Sequence, residues 1–172
     1  MSRIKYAIDS PVTRHWAERV GQLIINFSSL EFETYMWLVQ MSEQPERIPD
    51  FAKQKFAQRV TLINRYIEDH GYTAKWKTES LVAWTEALEL AKLRNRIAHN
   101  PLTFAWTNKA ERGEPDYIGV TEMQGLDPPK DGPLLSKASI ERSINQIIVL
   151  IKRLELLRQE WCGCRDTLRA QA

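Results

Sequence analysis

The stretch that decides the fold is SKASIERSINQIIVLIKRLELLRQEW, residues 136–161. Ile140, Ile144, Ile147, Ile151 and Leu154 recur at steps of three and four, and Trp161 closes the series. Each helical residue advances about 100° around the axis, so these side chains form one continuous apolar stripe. Ser136 or Ser139 is suited to cap the start, and Glu141 stands where the positive end of the helix dipole favours acid. The reading is a helix from about Ser136 to near Leu168. Its length and wide stripe imply that it packs across several neighbours, or that its end helps to form a dimer.

The same period appears upstream. A first helix is expected from about Pro11 to Ser42, with Ser10 as N-cap and Pro11 in the first turn. Trp16, Val20, Leu23, Ile24, Phe27, Leu30, Glu31, Tyr35 and Leu38 share one of its faces. A second is expected from about Asp50 to Asp69, with Phe56, Val60, Ile63 and Ile67 at helical spacing, between Pro49 and Gly71. A third runs from about Thr73 to His99, and Trp76, Leu81, Trp84, Leu88, Ala91 and Ile97 mark its buried face. The period fails between Pro101 and Leu135. There LTFAWT alternates, YIGVTEM is β-prone, and NKAERGEPD between them is rich in turn formers, which reads as a short β-hairpin. The insertion, about 101–135, is too long for a routine helix connection and is suited to cover or gate something. DPPKDGP then leads into the final helix. The expectation is an all-α chain: one domain, 1–172, built as an up-and-down bundle of four to five helices with an irregular or β-hairpin insertion.

Composition limits what such a bundle does. At 43% apolar and 27% charged, the 172 residues can pack a core and are not a disordered chain. The longest apolar runs, LIINF and IIVLI, are too short to cross a bilayer. MSRIKYAIDSP carries no apolar leader segment, so a soluble, cytoplasmic protein is expected, with no membrane partner. A net charge of +2 does not suit a protein that coats nucleic acid in general, and it allows a small local basic site. Cys162 and Cys164 are too close in sequence for an unstrained disulfide and lack neighbouring metal ligands, so free thiols are expected. No Gly-rich phosphate loop, no HExxH and no metal-binding spacing is present, so no metal and no cofactor are expected.

One stretch carries chemistry: LAKLRNRIAHNP, residues 90–101. It closes the third helix. Arg94, Asn95, Arg96 and His99 fall within its last turns. Asn95 and Arg96 lie four and three residues from His99 and neighbour it on the helix surface. Arg94 is five away, about 140° around the axis, and meets the imidazole only by reaching around, by a loosened last turn, or across two copies of the chain. The plain reading is a helix end: cations offset the negative pole of the helix dipole, Asn100 tolerates a left-handed backbone, and Pro101 stops the helix. A second Arg-x4-His, Arg65 to His70, ends the second helix, so the bare pattern is cheap.

The whole string LRNRIAHNP distinguishes the two. Asn follows the first Arg directly, and an apolar–Ala pair leads into His-Asn-Pro. This resembles the motif of the HEPN superfamily, an Arg, a polar residue, a few positions and then His, here Arg94 to His99. SSLEFETYMWLV in the first helix is similar to the segment that sets an acidic or polar residue facing the motif in many members. The resemblance spans the helical order from about 11 to 168, while its specific part is about eight residues. It implies a four- or five-helix bundle that dimerises, with two Arg–His motifs facing one another in a cleft. It further implies a metal-independent endoribonuclease, often a toxin or defence factor held by a protein antitoxin. Other members only bind partners or nucleotides.

RNA cleavage without metal needs a base for the 2′-hydroxyl, an acid for the leaving oxygen, and cations for the crowded phosphate. His99 is the one residue of the stretch that exchanges protons near neutral pH. Arg94 can hold two phosphate oxygens, Asn95 can orient the imidazole or donate to phosphate, and Arg96 is a second phosphate contact or a surface charge. With one such histidine per chain, acid and base can come from two protomers, which makes a homodimer close to a requirement of the mechanism. Glu31, on the apolar face of the first helix, needs a partner, and Arg94 or Arg96 is a candidate. Trp16, Trp106 and Trp161 are the tryptophans suited to reach an interface or stack on a base. The alternatives are a non-catalytic dimer that binds a nucleotide, an RNA or a protein, and a purely structural bundle whose motif is a helix cap.

Overall fold

A computed structural model describes residues 3–4, 11–42, 46, 48–70, 72–100, 102–105, 116–122 and 130–170. In chain order the elements are β1 (Arg3–Ile4), α1 (Pro11–Met41), α2 (Ile48–Ala52), α3 (Phe56–His70), α4 (Ala74–His99), β2 (Leu102–Ala105), β3 (Tyr117–Glu122), β4 (Lys130–Ser136) and α5 (Lys137–Ala170). The fold class is all-α, a helical bundle type with a small antiparallel sheet. Among the described residues no helix is long and apolar enough to cross a membrane.

The helix ends follow their capping chemistry. Thr73 Oγ1 accepts from the Trp76 N–H at 3.1 Å and starts α4. Ser136 Oγ accepts from the Ser139 N–H at 3.1 Å, so Ser136 rather than Ser139 is the cap of α5. The expected helix 50–69 is broken in two. Phe51 and Phe56 are both buried, at 2% and 9% exposure. A straight helix would set them about 140° apart, and the break at 53–55 lets both turn inward. Turn bonds from the Lys53 and Gln54 N–H groups to the Asp50 and Phe51 carbonyls close α2. Gln58 Oε1 then accepts from the Lys55 N–H at 2.9 Å, opening α3. The buried Arg59 braces this break: Nε donates to Thr34 Oγ1 at 2.7 Å, Nη1 donates to the Gln54 carbonyl, and the guanidinium lies 4.4 Å from the Tyr35 ring centre.

The insertion is richer than a hairpin. β2 and β3 pair antiparallel with Phe104 opposite Ile118, as the alternation of LTFAWT and YIGVTEM implies. β4 adds a third strand in the stretch read as a lead-in to the last helix, and β1 from the N-terminal segment pairs with β2. The sheet order is β1-β2-β3-β4. β4 escapes a sequence reading because Gly132 and Pro133 interrupt its pattern; at a sheet edge neither breaks a ladder.

The chain forms two compact units. The first comprises Met1–Asn26 and Lys92–Gln146, so it holds the sheet, the start of α1, the end of α4 and the start of α5. Its core draws on Trp16, Leu23, Ile97, Ala105, Ile118, Val120 and Ile140, all at most 3% exposed. Arg19 Nε on α1 bonds Glu141 Oε1 on α5 at 2.9 Å. The second unit comprises Phe27–Ala91 and Ile147–Ala172. Its centre is a chain of tryptophan rings. Trp37 stacks on Trp76 at 5.8 Å and meets Trp84 edge-on at 5.6 Å, while Trp76 stacks on Trp161 at 5.3 Å. Trp76 Nε1 donates to the Leu157 carbonyl at 2.8 Å, which satisfies that indole. On α4 the buried face is Ser80, Ala83, Trp84, Ala87 and Ala91 rather than Leu81 and Leu88, which are half-buried. Small side chains alternate with the indoles there and leave them room.

Candidate functional site

Arg94, Asn95, Arg96 and His99 all stand in the first unit, in the last turns of α4, which ends at His99. Ile97 is 3% exposed and anchors the turn in the core of that unit. This burial fixes the orientation of the rest. Arg94 and Arg96 are half-buried, and Asn95 and His99 are exposed. Arg94 Nη1 donates to Asn95 Oδ1 at 2.9 Å. Asn95 therefore holds the guanidinium of its neighbour and does not use that oxygen on the imidazole. Asn100 Nδ2 donates to the Arg96 carbonyl at 2.8 Å, so an amide side chain takes up one of the helix's last carbonyls. Pro101, expected to stop the helix, lies outside the described residues. Among the described residues none hydrogen-bonds or ion-pairs with the His99 imidazole. Its ring is open to solvent at the C-terminal end of the helix.

Glu31 belongs to the second unit. It is half-buried, and its backbone carbonyl accepts from Thr34 Oγ1 at 2.6 Å. The carboxylate that α1 buries is Glu33, at 7% exposure. Glu33 Oε2 accepts from Arg158 Nε at 3.2 Å, with both side chains largely shielded. Burial pushes the Glu33 carboxyl above the ordinary carboxylate range, the facing Arg158 cation pulls it back only in part, and Glu155 adds to the rise. Sequence reading passed over this pair. After Phe27 the buried stripe of α1 runs through Leu30, Thr34, Trp37, Leu38 and Met41, and that rotation takes Glu33 inward. A cation 125 residues away gives no local signal.

The second Arg-x4-His sits in a plain surface setting. Arg65 Nε lies 3.7 Å from Asp69 Oδ2, and the His70 ring packs 6.1 Å from the Tyr66 ring. Trp16 is core at 1% exposure, against the expectation of an interface role, and Trp161 is half-buried in the tryptophan stack. Trp106 lies outside the described residues. Cys162 and Cys164 are unbridged, and Cys162 Sγ donates to Gln40 Oε1 at 3.0 Å. Among the described residues no cluster of His, Cys, Asp and Glu is placed to hold a metal ion.

Comparison of this chain with protein-family models, with curated proteins and with solved structures finds no match.

Proposed function

We propose that this protein is a metal-independent endoribonuclease of the HEPN type, working as a homodimer with a composite site built from two copies of the α4 end. The observation that carries the reading is the layout of that end. One short stretch presents two half-buried arginines and an exposed imidazole, with Arg94 held by Asn95 at 2.9 Å. A guanidinium's planar fork matches two phosphate oxygens, and its weak hydration makes it the cation suited to a partly shielded phosphate. An exposed histidine can take the 2′-hydroxyl proton as a base, while the histidine of a second copy gives a proton to the leaving 5′-oxygen. Arg94 and Arg96 stabilise the charge that builds on the phosphate between them. The products are a 2′,3′-cyclic phosphate and a 5′-hydroxyl. A cytoplasmic setting and a neutralising protein partner, as for a toxin with its antitoxin or a defence factor, belong to the same reading.

A second reading keeps the dimer and the basic turn but binds nucleotide, RNA or protein without cleavage. It is favoured by His99 having no partner among the described residues to fix its tautomer. End-labelled single-stranded RNA incubated with the protein in excess EDTA tests between them. Cyclic-phosphate ends are expected. RNA that is retained by the protein but left intact selects the second reading, and cleavage that stops on chelation rules out the metal-free mechanism.

A further inference from the structure

Val149 and Leu156 are each 65% exposed on α5, one heptad apart. They line a groove of about 400 Å³, together with Lys152, Glu160, the buried Leu157 and Glu79 of α4. Gly163, a further heptad along the helix, lies on the same face. A Cβ added there would meet nothing within 4 Å. Glycine is among the least favourable residues inside a helix, and among the described residues nothing beyond its own helix comes close enough to demand one here. Lysine and glutamate flank the apolar line at 152 and 160, four residues to either side of Leu156. All these residues belong to the second unit.

We infer that this face of α5 binds the same face of a second copy, antiparallel, with the two-fold axis passing at Leu156. The charge pattern selects that occupant and that direction. A two-fold axis at Leu156 brings each residue level with the one equally far on its other side. Lys152 then comes level with Glu160 of the second copy, and the pairing occurs twice. Val149 comes level with Gly163, whose missing side chain leaves room for it, and the two Leu156 side chains meet on the axis. A parallel pair in register would set lysine against lysine and glutamate against glutamate. The face is thus self-complementary, as a closed two-fold contact requires. From Val149 to Gly163 it extends about 21 Å along the helix. It includes none of the residues of the Arg–His turn and does not rest on the ribonuclease reading.

Light scattering of the full chain over a range of concentrations tests it. Leu156→Glu is expected to halve the mass of the wild-type assembly, with an unchanged circular dichroism spectrum because the residue is exposed. Lys152→Glu is expected to weaken the assembly, and Lys152→Glu combined with Glu160→Lys to restore it. A wild-type mass of one copy at every concentration would give the face to a different protein and overturn the inference. So would an unchanged mass for Leu156→Glu, or a double variant no better than the single.

Discussion

Arg158 and Glu33 set the sharpest energetic test at the scale of single residues. Removing one partner of a shielded ion pair leaves the other charge stranded, at a cost of about 3–5 kcal/mol. Arg158→Met is expected at the low end, about 3 kcal/mol at neutral pH, since Glu33 can take up a proton instead. Urea unfolding measures it. The pH dependence has a definite sign. The Glu33 pKa is raised in the fold. Its contribution to stability is therefore full below the ordinary carboxylate pKa and is lost as pH rises through the folded value. Wild type should lose stability relative to Glu33→Gln between mildly acidic and neutral pH. A difference that grows in the opposite sense would mean that Arg158 outweighs burial. This pair also marks a limit of sequence reading. Glu31 and Glu33 are two residues apart, and the side of α1 that turns inward is decided by partners on a distant helix. The Arg94–His99 turn was legible because all its parts lie in one short stretch; the Arg94–Asn95 bond was not, because it depends on rotamers.

At the scale of elements, the capping residues and the tryptophans carry the predictions. Thr73→Ala removes the oxygen that receives the Trp76 N–H and should cost about 1 kcal/mol, read as a lower denaturation midpoint with unchanged slope. Trp37→Ala empties the middle of the ring stack and should cost about 3–5 kcal/mol. A loss near 1 kcal/mol would show that the neighbouring indoles collapse into the space. Long helices with a steady period, α4 and α5, could be bounded from sequence to within a residue or two, since capping serines and threonines and apolar spacing agree there. The α2–α3 break could not, because both halves are helical and only the burial of Phe51 and Phe56 on one side demands the kink. The β2–β3 hairpin was visible in its alternation. β4 was hidden by Gly132 and Pro133, and β1 by its length of two residues.

For the whole molecule, the proposed function requires the α4 ends of two copies to meet at one phosphate. In the proposed ribonuclease, Arg94 and Arg96 would meet phosphate through an ionic interaction in partial contact with solvent. RNA binding should therefore weaken as salt is raised, and Arg94→Ala should flatten that dependence in a filter-binding titration. A salt dependence unchanged by the substitution would remove Arg94 from the phosphate. Proton transfer by His99 carries the proposed reaction, and general acid–base catalysis of this kind contributes roughly 10²–10⁴-fold in rate. The most direct measurement compares wild type with His99→Ala on labelled single-stranded RNA in EDTA, with both proteins matched for circular dichroism and mass. Cyclic-phosphate products are expected from wild type, and a rate at least about 10²-fold lower from the variant. Equal cleavage by the two would take the histidine out of the chemistry and overturn the proposed mechanism.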